Sequence, residues 1–243
     1  MTRPAVTKRF GAGMMDQRPW PQAEEISKAL PARSWTLIGG GMVQLHSLLK
    51  DLPPTRATTD VDAALHLETG VISFSQTAVA LAKLGYQLDE RQHFAYRFFR
   101  DRETVDVLCS DRFAATRKPQ YQGRPLFGVP GGTRALQDTI NVRIQHPGGT
   151  FDISLPSARG ALILKGAAFI EDSRDRQRHL SDGVALLACL ENLDHIFDGL
   201  SGRSRKRIRA IARAARHTPS VWNLVDTTTR ARAEEALVAI GLT

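Results

Sequence analysis

The pattern of apolar and polar positions divides this chain into a strand-rich first half and a helical second half. Short apolar runs bounded by glycine, proline or aspartate predict strands over residues 34–38, 59–67, 92–99, 104–109, 139–145 and 150–155. Helical spacing predicts helices over residues 22–30, 42–49, 75–84, 158–170, 180–193, 202–216 and 229–240. The order of these elements predicts an α+β fold over residues 1–156 and an all-helical half over residues 157–243.

The N-terminal residues, the apolar runs and the two cysteines bear on where the protein is located. The N-terminal residues 1–21 are basic but lack a hydrophobic segment, so we expect a loosely held arm rather than a secretory signal. No apolar run reaches the length of about 18 residues that a membrane span requires. Cys109 and Cys189 lie far apart and lack metal-binding spacing, which favours a cytoplasmic protein without structural zinc.

The net charge of +8, carried by 33 basic residues, favours a polyanionic partner. The basic helix predicted at 202–216 is the best candidate for an RNA-facing surface, and a merely solvated basic face is the alternative. Its apolar stripe consists of Ile208, Ile211, Ala212 and Ala215, and the residues predicted to point outward are Arg205, Lys206, Arg209, Arg213 and Arg216.

A glycine turn and two aspartates carry the first sign of chemistry. Gly39, Gly40 and Gly41 join a predicted strand to a predicted helix, and a helix N-terminus with exposed N–H groups suits a phosphate. Tight turns between a strand and a helix also require glycine. Asp60 and Asp62 alternate on the next strand, so both carboxylates point to one face, where a cation such as Mg²⁺ would relieve their repulsion. Two exposed aspartates on a solvated strand are the alternative.

A third carboxylate, Asp106, lies between Val105 and Val107 in a strand that otherwise reads as buried. A buried carboxylate requires a cation or a metal. If this strand neighbours the one carrying Asp60 and Asp62, the three carboxylates can hold two metal ions about 3.5–4 Å apart. Asp106 would then be a ligand, or the base, on the side of the nucleophile.

These motifs resemble a known superfamily. The run GGGM at 39–42, the pair in TTDVD and the run VDVL around Asp106 resemble the nucleotidyltransferase fold of polymerase-β-type enzymes, which implies a mixed sheet with flanking helices. Arg56, Lys165 and the run RHLSD ending at Asp182 are similar to AbiEii/MenT-type toxins of bacterial type IV toxin–antitoxin systems. The resemblance covers roughly residues 34–190.

The resemblance implies a Mg²⁺-dependent enzyme, with Mn²⁺ as an alternative, that transfers NMP from an NTP to an RNA acceptor such as the 3′ end of tRNA. Gly39, Gly40, Gly41, Arg56 and Lys165 would contact the nucleotide, and the helical half would close the cleft. Asp182 would orient Lys165 or line the acceptor side, or serve as a first-turn carboxylate suited to the helix dipole. The biological role would be that of a toxin neutralised by an antitoxin protein. A lysine that merely snorkels to water is the alternative for Lys165.

Two positions depart from the superfamily pattern. Gly41 stands where many members have a serine that contacts the triphosphate, so that contact would come from backbone N–H groups here. The later motif is often Lys-Asp-Leu-x-Asp, whereas this chain has His179 at the second position and keeps only the final aspartate, Asp182.

Two other functions remain open. The same enzyme fold would serve a protein or small-molecule acceptor, such as an aminoglycoside, although the excess of arginine argues against a cationic drug. The missing serine at Gly41 supports a catalytically silent protein that binds NTP or RNA. Weaker site candidates are His46, near the glycine turn, and Arg97, Arg100 and Arg102, which would line an acceptor groove or simply decorate an exposed hairpin.

Overall fold

The chain divides into two compact units. The computed structural model describes residues 4–54 and 56–241. Residues 1–3, 55 and 242–243, which the predicted domains 1–156 and 157–243 include, lie outside the described residues. The first unit comprises Met1–Gly41 and Thr58–Pro156, and the second comprises Met42–Ala57 and Ser157–Thr243. The predicted boundary after Pro156 is therefore one of three places where the chain passes between units.

The first unit is an α+β structure with mixed sheets, as the sequence pattern predicts. The helix α2 begins in this unit and continues into the second. The elements, in chain order, are β1 (Ala5–Arg9), α1 (Trp20–Ala29), β2 (Trp35–Ile38), α2 (Gly39–Leu49), β3 (Val61–Leu65), α3 (Phe74–Lys83), β4 (Gln87–Leu88), β5 (Arg97–Arg100), β6 (Glu103–Ser110), α4 (Asp111–Arg117), β7 (Gln120–Tyr121), β8 (Arg124–Pro125), β9 (Gly128–Val129), α5 (Gly132–Gln137), β10 (Thr139–His146) and β11 (Gly149–Pro156).

The larger sheet of this unit has the strand order β2-β3-β6-β5-β4, and β9 pairs with β6 outside that path. The strands β3 and β6 are parallel, whereas β2 with β3 and β5 with β6 are antiparallel. Every residue of β2 and every residue of β6 from Val105 to Ser110 is buried. Because this sheet is covered, a carboxylate within it requires a specific partner.

The second sheet shows that the prediction of a loosely held N-terminal arm was wrong for the described residues. Its strand order is β1-β10-β11, and Ala5–Arg9 of β1 pairs in parallel with β10. The rings of Phe10 and Trp20 are buried and meet edge to face, with centroids 5.1 Å apart. The described part of residues 1–21 is therefore attached to the first unit by strand pairing and by an aromatic contact. The hairpin of β10 and β11 confirms the strands predicted at 139–145 and 150–155.

The second unit is helical, which confirms the predicted change of pattern at residue 157. Besides most of α2, it contains α6 (Ala158–Glu171), α7 (Arg176–Leu187), α8 (Gly202–Arg216) and α9 (Thr227–Ala239). Ser157 is the N-cap of α6, where its side chain accepts a hydrogen bond from the N–H of Gly160. A Cβ on Gly166 would lie 2.3 Å from the carbonyl oxygen of Arg207, so this glycine lets α6 and α8 approach closely.

Two predicted elements differ from the observed bounds by more than three residues. The strand predicted at 92–99 is shorter and later, at Arg97–Arg100. The helix predicted at 180–193 begins earlier, at Arg176, and ends at Leu187. Within residues 4–54 and 56–241, none of the helices combines the length and the apolar character needed to cross a bilayer.

Candidate active site

Two of the predicted carboxylates are direct neighbours in the first unit. The strands β3 and β6 run in parallel, and their register pairs Asp62 with Asp106. Paired residues on adjacent strands project from the same face of a sheet. The sequence alone placed Asp106 near the other two only on the condition that the strands were adjacent. The register meets that condition.

The glycine turn lies against Asp62. Gly39 begins α2 directly after β2, and its φ of +67° lies in the region that glycine adopts without strain. A Cβ at this position would stand only 1.7 Å from Oδ2 of Asp62. Gly39 is thus required by its conformation and by the close approach of a carboxylate. The positive end of the helix dipole favours the negative charge there.

Steric crowding does not explain why residue 41 is glycine rather than serine. A Cβ on Gly41 would make only ordinary contacts, at 3.5 Å, with Leu37 and Pro19. Gly40 and Gly41 belong to the first turn of α2, where backbone N–H groups lack partners within the helix. The start of α2 therefore has backbone N–H groups of the kind that bind a phosphate, beside the carboxylate of Asp62.

Asp60 lies immediately before β3 and is half-buried. Its carboxylate accepts a hydrogen bond of 3.1 Å from Oγ1 of Thr59. The negative charge of Asp60 raises the pKa of both Asp106 and Arg97, which places Asp60 within electrostatic range of that pair. All three predicted carboxylates thus belong to one region of the first unit.

Asp106 already has a cationic partner. The register of β5 and β6 places Arg97 directly opposite it. Nε and Nη2 of Arg97 donate hydrogen bonds of 2.8 and 2.7 Å to the two carboxylate oxygens. Burial raises the pKa of Asp106, Arg97 opposes that effect, and Asp60 adds to it. Asp106 is only 8% exposed, so the guanidinium supplies the counter-charge that the burial requires.

The carboxylate chemistry of Asp60 and Asp62 fits a hard divalent cation, which prefers oxygen ligands. Asp106 would complete such a set, but both of its oxygens are bound by Arg97. In agreement with that pairing, no group of three or more His, Cys, Asp or Glu side chains is arranged around a common cation position in the described parts of the chain. Asp60 and Asp62 are therefore the pair that would hold Mg²⁺ or Mn²⁺ in this arrangement.

The other three predicted site residues form a buried cluster in the second unit. Asp182 on α7 has 0% exposure and accepts hydrogen bonds of 2.7 and 2.9 Å from Nε and Nη2 of Arg56. Nζ of Lys165 on α6 lies 2.7 Å from Oδ2 of the same carboxylate. Burial acts to raise the pKa of Asp182, but Lys165 and Arg56 outweigh it, so that pKa lies below its usual value.

The contacts of this cluster decide between the alternatives for Lys165 and between those for Asp182. Lys165 is 6% exposed and paired, so it does not snorkel to water. Asp182 lies in the middle of α7, so it is not a first-turn carboxylate, and its contact orients Lys165. The cluster holds two positive charges and one negative charge, which makes it favourable for an anion.

His179, which departs from the superfamily pattern, lies beside this cluster. Burial and the charge of Lys165 lower its pKa, so its ring is neutral at pH 7. Among the described residues, neither ring nitrogen has a hydrogen-bond partner, and Nε2 lies 3.7 Å from Asp172 Oδ2. A neutral imidazole adds no further charge to the cations that surround Asp182.

Neither a family model, nor a curated protein, nor a solved structure gives a significant match to this chain.

Sequence reasoning missed the role of Arg97. It treated Arg97, Arg100 and Arg102 as a set that lines an acceptor groove. Arg100 instead bonds to Glu103 and Glu25 and lies over the ring of Tyr86. A signal for Arg97 was present, because a hairpin that turns at 101–102 pairs residues 100 with 103 and 97 with 106. The remaining weak candidate, His46, is buried on α2 in the second unit.

Proposed function

We propose that this protein is a nucleotidyltransferase that transfers NMP from an NTP to an RNA acceptor in the presence of Mg²⁺ or Mn²⁺. The observation that supports this best is the register that makes Asp62 and Asp106 neighbours on parallel strands, with Asp62 against the glycine start of α2. A phosphate-binding helix start and a carboxylate pair in one region are the two parts that metal-assisted phosphoryl transfer requires.

In the proposed reaction, a hydroxyl oxygen of the acceptor attacks the α-phosphorus of the NTP. A new bond from oxygen to phosphorus forms as the bond from the α-phosphorus to the bridging oxygen breaks. Pyrophosphate leaves, and a carboxylate takes the hydroxyl proton. We assign Asp60 and Asp62 to the cation, and Asp106 to completing the metal site and taking the proton of the acceptor hydroxyl. A divalent cation held by these carboxylates would neutralise charge on the phosphate oxygens and would lower the pKa of the attacking hydroxyl.

We assign an anion-binding role to the cluster of the second unit, in keeping with the phosphate contact that the resemblance implies for Arg56 and Lys165. Arg56 and Lys165 carry more positive charge than Asp182 neutralises. Arg56 retains 22% exposure of its side chain, which makes it the accessible member. A planar guanidinium suits a phosphate because it offers two parallel donors. Asp182 then acts as a positioning residue that fixes both cations.

A transfer assay tests this function directly. The purified protein is incubated with total RNA and each of four NTPs labelled at the α-phosphate, with and without Mg²⁺. We expect label in RNA for at least one NTP, equimolar release of pyrophosphate, and neither without a divalent cation. The matched control is the same NTP labelled at the γ-phosphate, which should leave RNA unlabelled.

Other outcomes of the transfer assay would identify a different acceptor or a protein that binds NTP without catalysis. Label that appears only in protein or in an added small-molecule pool contradicts the RNA acceptor but retains the transferase. Calorimetric binding of NTP without pyrophosphate release, for all acceptor pools, contradicts the enzyme and leaves a binding protein.

The surface that supports an RNA acceptor is the outer face of α8. Its apolar stripe at Ile208, Ile211, Ala212 and Ala215 is buried, as predicted. The cations Lys206, Arg209, Arg213 and Arg216, all exposed, follow one face at intervals of three and four residues. They extend over about 15 Å of helix, since each residue adds about 1.5 Å. The helix contains no acidic residue.

We expect charge reversal on α8 to weaken RNA binding. Replacing Lys206, Arg209 and Arg213 together by glutamate removes up to three phosphate contacts. The slope of log K against log salt concentration should then fall by about three, as measured by fluorescence anisotropy with labelled RNA. The matched control reverses three exposed cations of the first unit, Lys83, Arg117 and Lys118, and changes the net charge equally. Equal effects of both triples would mean that net charge, and not α8, governs binding.

The role as a toxin, and the antitoxin partner that it implies, belong to the same proposal. They are supported by the resemblance of residues 34–190, which Lys165 and Asp182 carry into the helical half.

A further inference from the structure

The guanidinium of Arg97 binds the carboxylate of Asp106, which the proposed metal site needs as its third ligand. This guanidinium makes two hydrogen bonds to Asp106, at 2.8 and 2.7 Å, across the hairpin of β5 and β6. Such a fork satisfies both carboxylate oxygens at once. The side chain of Arg97 remains 39% exposed, whereas that of Asp106 is 11% exposed. The arginine is therefore the member of the pair that has room to leave.

The strand order β3-β6-β5 puts these charges in a row. Asp62 on β3 is paired with Asp106 on β6, and Asp106 is paired in turn with Arg97 on β5. Asp60 acts electrostatically on both members of the pair between Arg97 and Asp106. The guanidinium thus provides a positive charge within the region where a divalent cation would bind Asp60 and Asp62.

A guanidinium and a divalent cation exclude each other at one carboxylate. Both require the same oxygen lone pairs, and they repel each other at short range. If Arg97 stays, Asp106 is neither a metal ligand nor free to take a proton. If Arg97 leaves, Asp106 is a buried carboxylate without a counter-charge, which a divalent cation would stabilise.

We propose that Arg97 is a built-in competitor of the divalent cation at Asp106. It holds this carboxylate while the site lacks metal, and it is displaced into solvent when the cation bound by Asp60 and Asp62 recruits Asp106. Arg97 thereby sets the metal affinity of the site, and it is a positioning residue rather than a catalytic one. This inference rests on the metal site of the proposed function.

Calorimetric titration with Mn²⁺ alone tests the competition without any measurement of activity. We expect Arg97→Gln to bind Mn²⁺ at least about tenfold more tightly than the wild type, because the competing charge is gone. Asp106→Asn should weaken Mn²⁺ binding less in the wild type than in Arg97→Gln, because in the wild type the displacement of Arg97 offsets part of what Asp106 contributes. When Asp106→Asn is combined with Arg97→Gln, it should abolish the gain in Mn²⁺ affinity. This non-additivity is the signature of competition, which a merely structural role would not produce.

A second measurement on the wild-type chain covers the case in which Arg97→Gln does not fold. Phenylglyoxal modifies free guanidinium groups, and mass spectrometry of peptides reports on each arginine. We expect Mn²⁺ to increase the modification of Arg97 several-fold, while that of Arg143, paired with Asp152 in the other sheet, stays constant. Modification of Arg97 that is unchanged at saturating Mn²⁺ overturns the proposal.

The outcomes separate this inference from the proposed function. Measurable Mn²⁺ binding with equal or weaker affinity in folded Arg97→Gln overturns the competition and leaves the metal site standing. Absence of Mn²⁺ binding in the wild type, in Arg97→Gln and in the double variant overturns both.

Discussion

Asp60→Asn is expected to lower the rate of NMP transfer by about three orders of magnitude while the fold persists. Asp60 precedes β3, and its carboxylate accepts a hydrogen bond from Thr59 that an asparagine oxygen also accepts. The substitution keeps the shape of the side chain and removes one negative charge from the proposed metal site. Loss of metal-assisted charge stabilisation costs several kcal/mol in the transition state, and about 1.4 kcal/mol corresponds to a factor of ten.

The matched control is Asp152→Asn, on β11 of the other sheet. Asp152 is exposed and accepts hydrogen bonds of 2.9 and 3.0 Å from Arg143, so it loses the same charge away from the carboxylate region. Its transfer rate should stay within about twofold of the wild type. Thermal melting and circular dichroism serve as the check that both variants are folded. A folded Asp60→Asn protein with the wild-type rate would rule out Asp60 as a metal ligand.

Asp182→Ala should reduce the free energy of unfolding by about 3–5 kcal/mol. Asp182 is fully buried and binds both Arg56 and Lys165, so its removal leaves two cations without their counter-charge. Urea unfolding followed by circular dichroism at pH 7 measures the loss. Lys165→Met should cost less, because Arg56 still neutralises the carboxylate. Equal stability of Asp182→Ala and the wild type would mean that these contacts contribute nothing to the fold.

The difference in stability between the wild type and Asp182→Ala is expected to depend on pH. The pKa of Asp182 lies below its usual value in the folded protein, because Lys165 and Arg56 outweigh the effect of burial. Its contribution is therefore complete above the pKa of an aspartate in the unfolded chain. It is lost as the pH falls through the folded-state pKa. The difference in stability between wild type and Asp182→Ala should accordingly be constant near neutral pH and shrink only in acid.

Local sequence signals were sufficient for most elements. The bounds of α8 were predicted to the residue, and its apolar stripe from Ile208 to Ala215 repeats at helical spacing. Ser157 was identified as a cap because a serine before an apolar helix satisfies a free N–H group. The strand β1 was missed, since five residues that are mostly exposed carry no strong pattern. Its partner, β10, lies more than 130 positions later in the chain.

The candidate site divides in the same way. Alternation predicted that Asp60 and Asp62 share one face of a strand, but Asp60 lies just before β3 and only Asp62 belongs to it. The apolar neighbours of Asp106 were enough to predict its burial, which the structure confirms. Burial of this kind follows from the order of residues along a single strand.

The partners of these charges were decided by packing between distant elements. The pairing of β3 with β6 brought Asp62 beside Asp106, and the packing of the second unit gave Asp182 both Lys165 and Arg56. The bond between Arg97 and Asp106 depends on the register of a hairpin, and a shift of one residue would send the two side chains to opposite faces. Sequence therefore indicated that Asp106 is buried, and tertiary structure determined what neutralises it and that Lys165 and Asp182 are buried together. The physical reason is that burial follows from local hydrophobicity, whereas a buried charge is stabilised only by a group within hydrogen-bond distance in space.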